Sequence, residues 1–329
     1  MRAVQVLEFD NRDKVELREV PVPTPGVGEV LIEVKARPVN YVDLVTMRGE
    51  YQFRPQLPYT PGKGPVGVVV AVGGDVNRVG VGDRVLAMAE YGGYADFCLA
   101  PAVQTYRLPD GLDFLDAAGL SLAYDTAWMA LVERARLQVG DRVLVLGATG
   151  AVGAAAVQLA GALGAGQVIS GISSGARFPE MQKIGADDYV EVTGDRLRDT
   201  LRDRVLEVTD GHGADVVVDM LGGDVFDGAV RAVAWRGRLV IVGFAAGRIP
   251  VLKMNYPLLK NIEVSGLQIS DYRKRLPELL DECYAQVLGF AARGVLTFRP
   301  ATTYSLEDWR QGVAAVESRG VPGRVLLVP

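Results

Sequence analysis

The sequence predicts an α/β fold in which a doubly wound parallel sheet is inserted into a β-rich domain. Residues 3–100 contain Val/Ile/Leu-rich runs separated by Gly, Pro and Asn/Asp turns, a pattern typical of antiparallel strands. From about residue 117 to residue 267, strand-like runs alternate with helix-length segments, which indicates a parallel sheet covered on both faces. We therefore expect one domain formed by residues 1–118 and 269–329, and an inserted domain formed by residues 119–268.

The β-rich domain is predicted from its short apolar runs and turns. Its first strands are expected at Ala3–Phe9, Lys14–Val20, Val30–Pro38 and Val66–Gly73. Two more strands are expected after the glycine turns at Gly80 and Gly92. At the end of the chain, two helices are expected over Arg275–Arg293 and Leu306–Ser318, and two strands over Thr297–Tyr304 and Arg324–Val328.

The inserted domain is predicted to open with one helix over Ala117–Ala135, because Leu120, Ala127 and Leu131 follow a helical period. Strands then alternate with four helices along the rest of this domain. The helices are expected over Val152–Leu163, Phe178–Ile184, Leu197–Val208 and Val225–Val233. The strands are expected over Arg142–Leu146, Val168–Ile172, Tyr189–Val192, Asp215–Asp219, Arg238–Val242 and Ile262–Leu267.

Composition excludes several classes of protein. The 329 residues carry 35 Lys and Arg against 40 Asp and Glu, a formal charge of −5, so nucleic-acid binding is not expected. One His (His212) and two Cys (Cys98 and Cys283) cannot supply a Cys₄ or Cys₂His₂ zinc site, and no metal site is expected. The few cysteines and the charged N-terminus, which lacks a signal peptide pattern, favour a cytoplasmic protein. The uncharged stretch 143–176 contains eight glycines and is interpreted as buried strands and a helix, with no membrane span.

A glycine-rich turn indicates dinucleotide binding. The strand ending at Leu146 runs directly into Gly147-Ala-Thr-Gly-Ala-Val-Gly153 and then into an Ala-rich helix. In this pattern Gly150 allows a tight turn and a close approach to a pyrophosphate, Gly153 allows close packing, and the helix N-terminus offers free N–H groups. The expected contacts are Thr149, Gly150, Ala151, Val152 and Gly153.

The end of the next strand favours NADP over NAD. NAD sites use an acidic residue about 20 positions beyond the turn to bind the ribose 2′-hydroxyl. That region here is Ser170–Arg177, and the nearest acidic residues in sequence are Asp141 and Glu180, so no carboxylate is expected there. This region instead offers the hydroxyls of Ser173 and Ser174 and the guanidinium of Arg177, which suit a 2′-phosphate.

Several motifs, in their order and spacing, resemble those of one family. They are VNYVDLVTMRGEY, LPYTPG, GVGDRV, GGYADF, GATGAVGAAAVQLA, IGADDYV and GRLVIVGF, and they extend over essentially the whole chain. The sequence resembles the zinc-independent quinone oxidoreductases related to zeta-crystallin, within the medium-chain dehydrogenase/reductases. The resemblance implies a Rossmann domain inserted into a GroES-like catalytic domain, and a homodimer formed by strands of the Ile262–Leu267 type.

The resemblance also implies roles for single residues. The nicotinamide would lie in the cleft between the two domains, with Asn40 on the cleft floor and Tyr51 at the substrate mouth as candidate catalytic residues. The other expected cofactor contacts are Thr126, Val242, Gly243, Phe244, Leu267, Gln268 and Arg319. The chain departs from the family at Val45, where a second tyrosine is frequent, and at Gly64, where an acidic residue is usual. It also has Val192 in place of a tyrosine and Arg324 in place of a lysine.

Three functional hypotheses follow. The first is an NADPH-dependent quinone oxidoreductase, because quinones accept hydride without a Lewis acid. The second is a reductase of enoyl or α,β-unsaturated carbonyl compounds, which uses the same cofactor but delivers hydride to carbon. The third is a protein that binds NADPH without turnover.

Overall fold

The computed structural model describes residues 1–318, 321 and 323–329. The chain folds into two units. Unit 1 comprises Met1–Leu122, Arg273–Ala292 and Phe298–Pro329, and unit 2 comprises Ala123–Tyr272 and Arg293–Thr297. The predicted division at 118/119 and 268/269 remains our proposal for the domains.

The strands in chain order are β1 (Arg2–Val6), β2 (Val15–Glu19), β3 (Glu29–Pro38), β4 (Val66–Val72), β5 (Arg84–Ala87), β6 (Phe97–Pro101), β7 (Thr105–Arg107), β8 (Arg142–Leu146), β9 (Gln167–Ile172), β10 (Asp188–Glu191), β11 (Ala214–Asp219), β12 (Val233–Ile241), β13 (Glu263–Gly266), β14 (Ala301–Ser305) and β15 (Arg324–Val328). The α-helices are α1 (Tyr41–Met47), α2 (Phe114–Gly119), α3 (Leu122–Trp128), α4 (Ala151–Ala162), α5 (Phe178–Gln182), α6 (Leu197–Val208), α7 (Gly223–Ala232), α8 (Asn255–Lys260), α9 (Ile269–Arg275), α10 (Pro277–Ala292) and α11 (Trp309–Glu317).

Unit 1 is built on a largely antiparallel sheet centred on β3. The strands follow the order β14-β15-β3-β4-β5-β7, with β6 also paired to β3, and β1 and β2 form a separate antiparallel pair. Among the described strands of unit 1, only β14 and β15 run parallel to each other. Alternate residues of β3, Val30, Ile32 and Val34, are buried and pack against Val69 and Val85. This alternation is what a strand with one face on the core requires.

Unit 2 contains a six-stranded sheet in the order β10-β9-β8-β11-β12-β13, and every pairing in it is parallel. The chain direction across the sheet reverses between β8 and β11, so the topological switch point lies there. Ligands of open α/β sheets bind at the carboxyl ends of the strands near such a point. Val143 to Leu146 are all fully buried, as expected for a central strand covered on both faces. The predicted fold class is confirmed.

The helix expected over Ala117–Ala135 is wrong, because that segment is divided into three parts. α2 ends at Gly119, α3 begins at Leu122, and Met129–Arg134 form a π-helix. A Cβ on Gly119 would lie 2.0 Å from Arg324 Nη1, so this residue packs directly against the last strand. Ser121 Oγ donates to the Ala118 carbonyl over 3.1 Å, which ends the first helix. The helical period of the side chains does not reveal these two interruptions.

Smaller differences concern element ends. β12 begins at Val233 instead of Arg238, because its pairing with β11 shifts register between Ala214 and Val216. The helix expected over Arg275–Arg293 begins at Pro277, and a separate α9 precedes it. Proline is favoured at the first helical position, where its missing N–H costs no hydrogen bond. Within the described residues, no helix combines the length and the apolar character that crossing a membrane requires.

Candidate dinucleotide and active site

The glycine-rich turn after β8 is fixed to the neighbouring strand. The N–H groups of Gly147 and Ala148 both donate to the carbonyl of Gly171, over 3.0 and 3.2 Å. Gly147 adopts φ +81°, a left-handed conformation that favours glycine at this position of the turn. Gly150 has φ −72°, which any residue adopts, so the turn itself does not require glycine there. A Cβ on Gly150 would meet only the Gly147 carbonyl oxygen, at 3.3 Å.

Gly153 has a different role from Gly150. A Cβ on Gly153 would lie 2.2 Å from the Gly147 oxygen and 2.7 Å from Ala148 Cα, so only glycine fits between the helix and the turn. The first i→i−4 hydrogen bond of α4 runs from the Ala154 N–H to the Gly150 carbonyl, over 2.9 Å. The N–H groups of the first three helical residues therefore have no carbonyl partner within the helix. These groups, beside the exposed Gly150, fit the charge and shape of a pyrophosphate.

The predicted 2′-phosphate residues lie in the loop after β9. Ser174 Oγ accepts a hydrogen bond from the Ala176 N–H over 3.3 Å. The Ser173 carbonyl accepts one from Thr193 Oγ1 over 2.9 Å. Arg177 Nη2 lies 2.7 Å from Glu180 Oε2, and both side chains are more than one third exposed. The cation of this loop is thus present at the surface, held by a neighbouring carboxylate.

A carboxylate that sequence reasoning missed also lies in this loop. Glu191 Oε1 accepts a hydrogen bond from the Gly175 N–H over 2.9 Å. The expectation that no carboxylate is available here is therefore wrong. Glu191 is the last residue of β10 and pairs in register with Ile172, the last residue of β9. Counting along the chain from Gly150 does not find it, because it comes from the adjacent strand. The pairing of parallel strands, whose carboxyl ends share one edge, is the signal that finds it.

The residues expected near the nicotinamide follow β12 and β13. The N–H groups of Val242 and Gly243 donate to the Asp219 carbonyl over 2.8 and 3.3 Å, and Phe244 is 41% exposed. The Leu267 N–H donates to the Ile241 carbonyl over 3.0 Å. Gln268 Oε1 accepts from the Ser270 N–H over 2.8 Å. These backbone segments lie at the same carboxyl edge of the sheet as the glycine-rich turn.

Asp219 supports this edge from the end of β11. Its Oδ1 accepts hydrogen bonds from the N–H groups of Leu221 and Gly222, over 2.8 and 3.0 Å. Its Oδ2 is buried and has no hydrogen-bond partner among the described residues. Burial raises the pKa of this carboxyl, and the two N–H donors oppose the shift. The carboxyl therefore holds the turn after β11, and the backbone carbonyl of the same residue holds Val242 and Gly243 at the end of β12.

Thr126 and Arg319 are two further predicted cofactor residues. Thr126 is in α3, is 7% exposed, and donates from Oγ1 to Asp125 Oδ1 over 3.2 Å. Arg319 lies outside the described residues.

In unit 1, Asn40 is the N-cap of α1. Its backbone N–H donates to Asp43 Oδ2 over 3.0 Å, and its Nδ2 donates to the Lys63 carbonyl over 3.4 Å. Asp43 is 2% exposed, and Tyr94 donates its hydroxyl hydrogen to Oδ2 over 3.3 Å. Burial raises the pKa of Asp43 to about 6, although the Asn40 N–H, Lys63 and Tyr94 all favour the charged form. Asn40 is thus both a helix cap and a fixed amide.

Tyr51, the other candidate catalytic residue, lies beside a buried ammonium group. Lys63 Nζ is 5.3 Å from the ring centroids of both Tyr51 and Tyr91, a distance at which a cation interacts with an aromatic face. The Lys63 side chain is 2% exposed and forms an ion pair with Glu90, which also lies 3.2 Å from Arg273. Lys63 therefore contacts both candidates, Asn40 through its carbonyl and Tyr51 through its ammonium group. Sequence reasoning did not single it out.

The departure at Gly64 has a steric reason. Gly64 has φ +69°, and a Cβ there would lie 2.7 Å from Ser121 Cβ. An acidic side chain does not fit at this position in the present packing.

The scarce His and Cys residues have structural surroundings. His212 Nε2 is 2.7 Å from Asp215 Oδ1 at the start of β11, and its side chain is 45% exposed. Cys98 and Cys283 are buried in unit 1, and burial raises the pKa of the Cys98 thiol to about 12. Within the part of the chain that the structure describes, no three His, Cys, Asp or Glu side chains are grouped to hold a metal ion.

Comparison with known proteins agrees with the fold. A zinc-binding dehydrogenase model matches residues 151–285, and an alcohol dehydrogenase GroES-like domain model matches residues 26–110. A quinone oxidoreductase-like protein 2 homolog from Nematostella vectensis is 38% identical over 92% of this chain and 82% of its own length. Quinone oxidoreductase from Homo sapiens is 36% identical over 74% of this chain and 73% of its own.

Solved structures match over the full length. A mycobacterial quinone oxidoreductase superposes with a TM-score of 0.91 at 30% identity, covering 100% of both chains. Escherichia coli quinone oxidoreductase, solved as a complex with NADPH, superposes with a TM-score of 0.88 at 26% identity and the same coverage. Together with the motifs and the two units, these matches confirm the expected resemblance. The chain belongs to the zinc-independent, quinone oxidoreductase-type medium-chain dehydrogenase/reductases.

Proposed function

We propose that this oxidoreductase transfers a hydride from NADPH to a quinone. The observation that carries the proposal is the carboxyl edge of the unit 2 sheet. There the open turn at Gly150, the α4 N-terminus and the Arg177 guanidinium occur together. A pyrophosphate and a 2′-phosphate need these groups. The names of the relatives, and the NADPH complexes among the similar structures, support the same proposal.

The chain's own groups would bind and orient the reactants. NADPH, when bound, supplies the hydride. The N–H groups at the start of α4 would bind the pyrophosphate, Arg177 with Ser173 and Ser174 would bind the 2′-phosphate, and the 242–244 backbone would hold the carboxamide. The expected roles of Thr126, Leu267, Gln268 and Arg319 at the cofactor are retained as part of this proposal.

Asn40 and Tyr51 are the groups we assign to the acceptor. The Asn40 amide nitrogen has two hydrogens, and the Lys63 carbonyl accepts one of them. The second hydrogen, which the Asp43 carboxylate also attracts, would be donated to a quinone oxygen, as would the Tyr51 hydroxyl hydrogen. Addition of hydride to a quinone leaves an anionic oxygen, which such donors stabilise and which then takes a proton from water to give the hydroquinone.

A steady-state assay tests the proposal. Oxidation of NADPH is followed at 340 nm with 9,10-phenanthrenequinone and, separately, with a simple enone as acceptor. We expect turnover with the quinone, and a slower reaction with it in Asn40→Ala. Turnover with the enone but not with the quinone would mean that the acceptors of this enzyme are α,β-unsaturated carbonyl compounds. Tight NADPH binding without turnover of either acceptor would reject both reductase functions in favour of a binding protein.

We also propose a homodimer formed through β13. This strand is the last of the unit 2 sheet, and the segment before it exposes large apolar side chains. They are Ile249 (68% exposed), Val251 (78%), Met254 (70%), Leu258 (76%) and Leu259 (73%). An apolar surface next to an open strand edge is expected to be covered by a partner. Sedimentation of the protein and of Leu258→Glu tests this, because the variant should be monomeric; a monomeric parent protein would refute the dimer.

A further inference from the structure

Glu191 brings a negative charge into the loop that the proposed function assigns to the ribose 2′-substituent. Its carboxylate accepts the Gly175 N–H over 2.9 Å, between Ser174 and the Arg177 turn. The three residues Ser173, Ser174 and Arg177 would supply the attraction for a 2′-phosphate. The charge of Glu191 opposes that attraction, because carboxylate and phosphate are both anionic.

The position of Glu191 is fixed by its neighbours on both sides. Arg204 Nη1 in α6 donates to the Glu191 carbonyl over 2.5 Å and to the Thr193 carbonyl over 3.4 Å. Thr193 in turn donates to the Ser173 carbonyl, which joins the end of β10 to the loop after β9. A Cβ on Gly175 would lie 2.8 Å from the Tyr189 hydroxyl, so this loop packs closely on β10. These contacts fix the end of β10 beside the loop, and the Gly175 N–H bond holds the carboxylate there.

The positive charge of the loop is itself shared. Arg177 pairs with Glu180 over 2.7 Å. A bound 2′-phosphate would have to compete with Glu180 for this guanidinium. It would also find the Gly175 N–H already donating to Glu191. Arg177, the cation of the loop itself, is thus accompanied by two carboxylates, and the Arg204 guanidinium is already bonded to the Glu191 and Thr193 carbonyls. Such a loop should distinguish less strongly between a phosphate and a hydroxyl than a loop that carries a cation alone.

We propose that Glu191 is a specificity-determining residue that limits the preference of this site for NADPH over NADH. The carboxylate tolerates a ribose 2′-hydroxyl but repels a 2′-phosphate, so removal of its charge strengthens binding of the phosphorylated dinucleotide only. This inference rests on the proposed dinucleotide site, but it does not depend on the identity of the acceptor.

Calorimetric titration with the adenosine fragments 2′,5′-ADP and 5′-AMP tests the inference without any turnover. Glu191→Gln retains an oxygen that can accept the Gly175 N–H and removes only the charge. We expect 2′,5′-ADP to bind about three- to ten-fold more tightly, as for one charge near a phosphate in a partly solvated site. The affinity for 5′-AMP should change less than two-fold. Glu191→Asp, which keeps the charge, should bind 2′,5′-ADP with an affinity close to that of the parent protein.

The matched control is Glu207→Gln, an equal change of net charge on the exposed face of α6. Glu207 lies near the end of α6 that precedes β11, and so toward the opposite edge of the sheet. Equal effects of Glu191→Gln and Glu207→Gln, equal shifts for both fragments, or no shift would overturn the proposal. If Glu191→Gln does not fold, Glu191→Ala must raise the ratio of 2′,5′-ADP to 5′-AMP affinity. Absence of binding by both fragments to the parent protein would instead reject the dinucleotide site itself.

Discussion

The buried carboxylate of Asp43 accepts a hydrogen bond from the backbone N–H of Asn40 over 3.0 Å, and this bond closes the first turn of α1. The same turn carries the Asn40 amide that we assign to the acceptor. Three groups favour the charged form of Asp43, yet burial raises its pKa to about 6. The position of Asn40 and the protonation of Asp43 are therefore linked.

The stability of the protein should decrease as Asp43 ionises. The pKa of an aspartate in an unfolded chain is about 3.9, so between pH 4 and 6 the folded state binds more protons. The stabilisation is complete below pH 4 and is lost as the pH rises through about 6. By this linkage Asp43 should lower the free energy of unfolding by at most about 3 kcal/mol between pH 4 and pH 7. Urea denaturation at a series of pH values measures the change.

Asp43→Asn isolates this contribution, because its amide oxygen can still accept the Asn40 N–H. The difference in unfolding free energy between the parent protein and the variant should shift in favour of the variant as the pH rises. Asp110→Asn, at an exposed position, should show a much smaller shift. Parallel pH profiles for the parent protein and Asp43→Asn would contradict the link.

Substitution of two glycines in the turn after β8 should have opposite consequences. Gly153→Ala places a methyl group 2.2 Å from a backbone oxygen and should destabilise the protein by roughly 2–3 kcal/mol. Gly150→Ala meets only one atom, at 3.3 Å, and should change stability by less than about 1 kcal/mol. Its methyl group would nevertheless occupy the surface that a pyrophosphate approaches, so NADPH affinity should fall at least about ten-fold. Thermal unfolding and NADPH titration measure the two effects; unchanged NADPH binding in Gly150→Ala would contradict the proposed phosphate position.

The parallel sheet could be predicted from sequence because its strands are buried on both faces and its helices are bounded by turns. The helix Leu197–Val208 was predicted with its observed ends, and the strand Arg142–Leu146 likewise. The break after Gly119, where the chain packs against Arg324, could not be predicted, and neither could the change from α-helix to π-helix at Met129. The periodicity of apolar residues shows which face of a helix is buried, but it does not specify the backbone hydrogen bonds of that helix.

The candidate site likewise contains features that could be predicted from the sequence and features that could not. The glycine-rich turn is local in sequence, and its strand–turn–helix setting was found where it was expected. Glu191 and Lys63 were missed, because each acts through a residue distant in sequence: Glu191 through Gly175, and Lys63 through Glu90 and Tyr51. Neighbours created by strand pairing or by burial of an ion pair require the three-dimensional structure.

Arg177 should distinguish the two dinucleotides. Arg177→Ala removes a cation that would form charge-assisted hydrogen bonds with the 2′-phosphate, and such bonds contribute about 1.5–3 kcal/mol. Because Glu180 competes for the same guanidinium, we expect an increase of about ten-fold in the KM for NADPH and less than two-fold in that for NADH. Lys183→Ala, an exposed cation of the same segment, is the matched control. Equal increases for both dinucleotides would show that Arg177 does not contact the 2′-phosphate.

Lys63 should position the acceptor site without contacting the dinucleotide. Lys63→Met removes the ammonium group beside Tyr51 and half of a buried ion pair, while Glu90 keeps its contact with Arg273. We expect a loss of roughly 2 kcal/mol in stability, less than for a buried pair left with no other partner. Because Tyr51 loses its contact with the ammonium group, kcat/KM for the quinone should fall about ten-fold, while the dissociation constant of NADPH stays within two-fold.

Two further variants separate positioning by Lys63 from a general loss of stability. Lys63→Arg retains the positive charge over the Tyr51 ring and should recover most of the quinone kcat/KM, since guanidinium groups also bind aromatic faces. Glu90→Gln removes the carboxylate from both Lys63 and Arg273 but leaves the Lys63 ammonium group beside Tyr51, so it should lower stability and retain most of the quinone kcat/KM. Stopped-flow measurement of a single turnover, with NADPH bound beforehand, locates the defect in the acceptor step. Equal losses of quinone kcat/KM in Glu90→Gln and Lys63→Met would mean that Lys63 serves only to stabilise the fold.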